Sequence, residues 1–236
     1  MITLSKRLKA IADMVNPCNV VADVGCDHGF LSIYLIENEI AGYVLATDIN
    51  AGPLERAQEH IIEHRLEERI KTIQCDGLSG IDHADAIVIA GMGGRLMARI
   101  LSEGRHVLKG DNQLILEPQS ELEYFRTTLC EMGYLIDKED FVLEEGKYYP
   151  VIHAVKGEMK LDRIAACYGP CLIRDKNQIL KEYLIKEKEY KLDILWNLVG
   201  NKGISEHEEV SEKTGMRIKE LKEELAVNEG ALTMLS

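Results

Sequence analysis

Short β-branched runs alternating with amphipathic segments limit the fold of this chain more than any other feature. Residues 20–24 form such a run, which ends at Gly25. Residues 30–37 then read as a helix. Residues 43–48 are a second strand and 53–64 a second helix, with Pro53 in the first turn, where its missing N–H costs nothing. Residues 70–74, 86–90 and 113–117 supply three more strands, with helices at about 95–101 and 121–132. Strands that alternate with helices build a parallel sheet covered on both faces.

The pattern then changes. Residues 134–142 and 148–155 are two strands separated by a loop too short for a crossover, so they must be antiparallel neighbours. Beyond them the chain turns to long, charged helices. Residues 175–199 place Ile179, Tyr183, Tyr190, Ile194 and Leu198 on one stripe. Residues 200–203 read as a turn. A second helix over about 205–228 places Val210, Ile218, Leu221 and Leu225 on its own stripe. Narrow stripes with charged flanks predict a two-helix antiparallel coiled coil. Two domains follow, residues 1–157 and residues 158–236, and 236 residues suffice for one ordinary domain plus a small appendage.

A composition of 46% hydrophobic and 29% charged residues suits a soluble globular protein. The longest apolar run, around residues 84–90, is far too short to span a bilayer and is interrupted by Asp85. The first fifteen residues intersperse Lys6, Arg7 and Lys9 with apolar residues and carry no cleavage signature, so they are not read as a signal peptide. The expected location is the cytoplasm, with no membrane association. Cys18, Cys26, Cys75, Cys130, Cys167 and Cys171 form no CxxC pair. They read as buried small hydrophobes, and no metal site is expected.

The net charge is -12, which by itself argues against a nucleic-acid partner, since phosphate contacts need Lys and Arg. The charge is uneven, however. Residues 1–157 carry a net of -10 and residues 158–236 only -2, and residues 156–191 hold nine basic against six acidic side chains. A local basic face on an acidic protein is compatible with those counts.

The sharpest motif is Asp23-Val24-Gly25-Cys26-Asp27-His28-Gly29, where the first strand gives way to the first helix. Glycines there let a ligand approach the backbone. A dinucleotide-binding loop reads GxGxxG and holds a pyrophosphate at the helix N-terminus. Here Asp27 occupies the place of the second glycine, and a carboxylate repels a diphosphate. S-adenosylmethionine carries a sulfonium and an ammonium instead, and the acids Asp23 and Asp27 suit it. Asp48 ends the second strand, 25 residues after Asp23, where a carboxylate can accept both ribose hydroxyls. Asp76-Gly77-Leu78 follows the third strand: an acceptor for an adenine amino group, with Gly77 leaving room for the ring. Ala90-Gly91-Met92-Gly93-Gly94 ends the fourth and opens a side-chain-poor surface where a flat base could enter. All four segments lie at carboxyl ends of strands, where open α/β sheets bind ligands. The cofactor contacts expected are Asp23, Gly25, Asp27, His28, Gly29, Asp48, Ile49, Asp76, Gly77, Leu78, Gly91 and Met92.

With Leu4-Ser5-Lys6-Arg7-Leu8, Asp48-Ile49-Asn50, Gly52-Pro53-Leu54 and Tyr168-Gly169-Pro170, these segments make nearly the whole chain resemble the bacterial tRNA (adenine-22-N1)-methyltransferase family. The resemblance implies methyl transfer from S-adenosylmethionine to N1 of an adenine in the D-loop region of tRNA, with the C-terminal helices helping to hold the RNA. The fold class expected is α/β: a Rossmann-like class I methyltransferase sheet, mostly parallel with an antiparallel terminal hairpin, followed by a helical coiled-coil hairpin. At Glu117-Pro118-Gln119-Ser120 a glutamate stands where the resemblance leads one to expect an amide. That leaves two roles open for Glu117, catalytic group or loop anchor. The catalytic candidates are Asp27, His28 and Glu117, with His28 equally readable as a loop-stabilising donor. For tRNA the candidates are Arg7, Arg95, Arg99, Arg163, Arg174, Lys176 and Lys181, each of which also reads as a solvated surface charge. No obligate protein partner is indicated. Two rival functions stay open: a methyltransferase acting on a small molecule or protein, with the coiled coil as an oligomerisation module, and a nicotinamide oxidoreductase. Asp27 and the terminal hairpin count against the second.

Overall fold

The computed structural model describes residues 2–200 and 212–236. Two compact units are present, dividing between Leu161 and Asp162. The sequence places the boundary four residues earlier, at the end of the last strand.

In the first unit the elements run α1 (Lys6–Met14), β1 (Cys18–Val24), α2 (Phe30–Glu37), β2 (Ala41–Asp48), α3 (Ala51–Glu63), β3 (Ile70–Gln74), β4 (Ala86–Met92), α4 (Gly94–Glu103), β5 (Gln113–Pro118), α5 (Leu122–Glu131), β6 (Tyr134–Glu144) and β7 (Lys147–Lys156). They form one seven-stranded sheet in the order β3-β2-β1-β4-β5-β7-β6. β1 to β5 pair in parallel, and β7 and β6 close the edge antiparallel. This is the sheet the alternation predicts.

The central strands explain why the sheet needs cover on both faces. Every residue of β5 is buried, and Val21, Ala22, Ile87, Val88 and Ile115 are at 0% exposure. α2 is apolar almost all round and buries Leu31, Ile33, Leu35 and Ile36. α4 is two-faced: Met97 and Leu101 go into the core while Arg95 and Arg99 face outward. Strand order reverses between β1 and β4, since β1 leads on to β2 and β3 on one side and β4 to β5 on the other. Such a switch point opens a crevice beyond the strand ends.

The second unit begins with two short helices absent from the sequence reading, α6 (Arg163–Tyr168) and α7 (Pro170–Arg174). The Asp162 carboxylate accepts the Ala165 N–H at 2.8 Å and starts α6. Gly169, at φ +97°, and Pro170 separate it from α7. The long helices are α8 (Gln178–Gly200) and α9 (Glu212–Met234), which pack on each other. Gly200, expected to open a turn, ends α8 instead; the rest of that turn, 201–203, and the start of the second helix, Val210 included, lie outside the described residues.

The seam of α8 differs from the predicted stripe. Leu180 and Leu184 are the buried residues, whereas Tyr190 is 67% exposed. Polar groups account for the difference. Further along the helix the seam is held by Glu187, which accepts from Tyr168 Oη (2.7 Å), Tyr183 Oη (3.2 Å) and Asn228 Nδ2 (2.9 Å). Burial alone would raise the Glu187 carboxyl, but the hydrogen bonds from Asn228 and Tyr168 and the charge of Lys191 hold it below the usual range. Asn228 is fully buried rather than a helix end, and α9 continues to Met234.

Candidate active site

The first turn is docked on its neighbour before any ligand is considered. The amides of Gly25 and Cys26 both donate to the Thr47 carbonyl, at 2.7 and 2.9 Å, which sets the turn beside the end of β2. Gly25 has φ +76°, and a Cβ there would lie 2.5 Å from Met92 Cε. The positive φ favours glycine here, and the end of the Met92 side chain occupies the space a Cβ would take. Asp27 is held at φ +48°, an uncommon state for a side-chain-bearing residue and a form of strain that collects at functional turns.

Two clefts open at these strand ends. The larger, about 420 Å³, is lined by Asp23, Gly25, Asp27, His28, Asp48, Gly91 and Met92, with Arg7 and Gln119 beside Gly91. The smaller, about 150 Å³, is lined by Gly25, Asp48, Ile49, Asp76, Gly77 and Met92. Asp48 lines both. Its Oδ1 accepts the Asn50 N–H at 2.8 Å, which fixes the carboxylate at the strand end.

Asp23 is 5% exposed, and its Oδ2 accepts the Ser32 hydroxyl at 2.6 Å. Burial pushes its carboxyl up to about 6, against the Ser32 hydrogen bonds. A carboxyl buried beside a cleft without a cation to stabilise it is a site suited to a cationic ligand. Asp27 stands at the rim, with Arg56 Nη2 and His28 Nε2 each 3.6 Å from its Oδ1. The His28 ring stacks on Phe30, centroids 5.5 Å apart, and Phe30 in turn stacks on His60 at 4.7 Å.

Three of the expected site residues are buried or already paired. Leu78 is 2% exposed and lines neither cleft; its side chain packs beneath Gly104. Glu117 is fully buried, and its Oε2 accepts both the Gly91 N–H (2.8 Å) and Arg7 Nη1 (3.1 Å). Burial raises its carboxyl against the opposing charge of Arg7. These bonds tie the β4 loop to β5 and to α1, the arrangement a loop anchor would have. Asp76 is not free to turn, since Arg99 donates to both its oxygens at 3.1 Å, using one lone pair of each.

Several of the RNA candidates are also engaged. Arg7 pairs with Glu117 and lies 5.4 Å from the centre of the Tyr149 ring. Arg95 pairs with Glu121 and stacks over Tyr124. In the second unit Arg174 pairs with Asp175, and Lys176 is exposed at φ +49°. Lys181 is half-buried at the start of α8, and Arg163 opens α6. Part of the basic excess read in residues 156–191 is used internally: Lys188 pairs with Glu229 at 2.9 Å, and Lys191 with Glu187 and Glu224 at 3.2 Å.

Sequence reading missed Cys26, Phe30 and Gln119 in the larger cleft and Leu96 and Ile100 in the smaller one. Gln119 is within reach of the strand-end rule applied to β5. Leu96 and Ile100 are not, because the helical pattern of α4 fixes which residues share a face and not which pocket that face meets. Among the described residues no cluster of three metal-ligating side chains occurs, and no helix is long and apolar enough to cross a membrane.

A glycine turn carrying acids in place of phosphate-binding groups, at the switch point of a sheet closed by an antiparallel hairpin, defines a Rossmann-like methyltransferase. The comparisons agree: a methyltransferase-domain model matches residues 4–152. The tRNA (adenine(22)-N(1))-methyltransferase of Bacillus subtilis is 35% identical over 203 residues, 81% of this chain and 84% of that protein. The crystal structure of the B. subtilis m1A22 tRNA methyltransferase superposes with a TM-score of 0.85 at 29% identity, covering 98% of this chain and 100% of that one. A Streptococcus pneumoniae protein solved in complex with S-adenosyl-L-methionine gives the same score, identity and coverage. This chain belongs to the tRNA (adenine(22)-N(1))-methyltransferase family.

Proposed function

We propose that the chain transfers a methyl group from S-adenosylmethionine to N1 of adenine 22 in tRNA, in the cytoplasm, at the larger cleft. The observation that carries this reading is the buried Asp23 carboxyl beside the Asp27 turn, a local charge balance made for a cation, in a chain 35% identical to an enzyme of that name.

The donor set fits the cofactor. Asp23 and Asp27 face its cationic end, Asp48 its ribose, and the Asp76–Gly77 pocket its adenine. When bound, the cofactor supplies an electrophilic methyl group. The chain's own residues do the positioning. N1 of adenine is already a nucleophile, so alignment matters more than a strong base. Gly91, at φ +77° and with its N–H held by Glu117, keeps side chains off the floor where a flat base must lie. Arg7 and Gln119 border that floor and are placed to contact the target nucleotide. Bringing the base out of a folded tRNA costs a few kcal/mol, which contacts to the rest of the RNA must offset.

We place those contacts on residues 158–236 as well as on the methyltransferase domain, residues 1–157, with Arg163, Arg174, Lys176 and Lys181 as the candidates in the helical part and Arg7 and Arg95 beside the cleft. Reversing Arg163, Lys176 and Lys181 to glutamate together is expected to weaken tRNA binding about tenfold or more. The salt slope should fall by about 2 to 3, near one for each phosphate no longer neutralised. Filter binding across a salt series measures both, and an unaltered slope moves the RNA footprint elsewhere.

The function itself is tested by incubating the protein with unmodified tRNA and methyl-labelled cofactor, then analysing nucleosides by mass spectrometry. Labelled N1-methyladenosine at position 22 is expected. Label on a protein or metabolite, with none on tRNA, would favour the small-molecule or protein methyltransferase.

A further inference from the structure

At the end of β3 the Asp76 carboxylate is gripped by Arg99 of α4. Nη2 donates to Oδ1 and Nη1 to Oδ2, both at 3.1 Å. A planar guanidinium facing a carboxylate fixes the carboxylate plane and uses one lone pair of each oxygen, leaving the others for a ligand. Arg99 is itself tethered, since Nη1 also donates to Glu103 at 2.9 Å, one turn along the helix. Both side chains line the smaller cleft, whose remaining walls include Ile49, Leu96 and Ile100. Gly77 has φ +58°, and a Cβ there would lie 2.9 Å from Ile100 Cγ2. The pocket thus combines apolar walls for a flat ring with one acceptor whose orientation is fixed.

We propose that Arg99 is a positioning residue for cofactor recognition: by fixing the Asp76 carboxylate it makes this cleft select an exocyclic amino group, so that an adenine ring is taken and a 6-oxopurine refused. This rests on the reading that the adenosyl cofactor binds in these clefts. Adenine presents an N–H donor at its 6-position. Hypoxanthine presents an oxygen there, and acceptor would face acceptor, with a polar group left unpaired under the ring. The Arg99 hydrogen bonds also hold the Asp76 carboxyl below the usual range, so it remains an acceptor and cannot donate to that oxygen. Arg99, expected from sequence to contact tRNA, thereby has its task on the cofactor side.

Calorimetric titration of the full chain with S-adenosylhomocysteine and its 6-oxo counterpart S-inosylhomocysteine tests this. The unaltered protein is expected to prefer the adenine compound by about a hundredfold or more. Arg99→Ala should bind S-adenosylhomocysteine about tenfold more weakly and lose most of the preference. Arg99→Lys, which keeps the charge without the fork, should behave like Arg99→Ala. Asp76→Asn, whose amide can donate as well as accept, should narrow the preference from the other side by binding the 6-oxo compound better. An unchanged affinity in Arg99→Ala, an equal loss for both compounds, or full restoration by lysine would each overturn the proposal. Failure of the unaltered protein to bind S-adenosylhomocysteine would instead defeat the cofactor reading, and no variant is needed to see it.

Discussion

Asp48→Ala is expected to weaken S-adenosylhomocysteine binding about 100- to 1,000-fold. The carboxylate ends β2, lines both clefts, and is fixed by the Asn50 N–H at 2.8 Å. In the proposed function the ribose, which joins the two halves of the cofactor, would therefore meet Asp48. Hydrogen bonds to a charged group contribute roughly 1.5–3 kcal/mol each. Losing two, with partial replacement by water, costs about 3–4 kcal/mol, and each 1.4 kcal/mol is about tenfold. Asp48→Asn keeps one acceptor and should fall between. Calorimetry reads the affinities, and tRNA binding measured alongside should be nearly unchanged. Wild-type affinity in the alanine variant would put the ribose elsewhere and undo the assignment of both clefts.

The largest stability effect is expected away from the site, at the Arg126–Glu139 pair between α5 and β6. The two side chains are 1% and 0% exposed, with Nε donating to Oε1 at 2.8 Å. Removing one partner takes away the opposite charge that a buried group faces at hydrogen-bond distance. Arg126→Ala should therefore lower unfolding stability by roughly 3–5 kcal/mol, a large share of the roughly 5–15 kcal/mol typical of a domain. Because burying both charges is itself costly, Arg126→Met with Glu139→Leu should recover much of the loss. Urea unfolding followed by circular dichroism decides the matter. A double variant no more stable than Arg126→Ala would mean that the pair's geometry, rather than charge compensation, holds α5 to the hairpin.

How much of the fold and site is legible in the sequence follows from the kind of information involved. Strand positions are readable because the central strands are buried on both faces and so appear as unbroken apolar runs, as at 86–90 and 114–116. The hairpin of β6 and β7 is readable because so short a loop cannot carry a crossover. The acidic glycine turn is readable because both its conformation and its charge are local to Asp23–Gly29. Pairings over long sequence separation are not readable. Arg7 and Glu117 are 110 residues apart, and nothing in either neighbourhood announces the other. The seam of α8 escapes the sequence for a related reason: periodicity counts apolar residues, whereas the structure buries Glu187 because Tyr168, Tyr183 and Asn228 converge on it.

The sequence by itself determined the order of the strands and of the helices between them, the antiparallel closing hairpin, and the acids at the strand ends, since each depends on burial period, loop length or residues adjacent in the chain. Tertiary structure alone decided which of those acids stay available. It closed Glu117 with Arg7 and the Gly91 amide, oriented Asp76 with Arg99, and left Asp23 without a cation among the described residues. The physical reason is that a carboxylate's chemistry is set by its charge partners and its access to water, and only the packing of distant segments fixes either one.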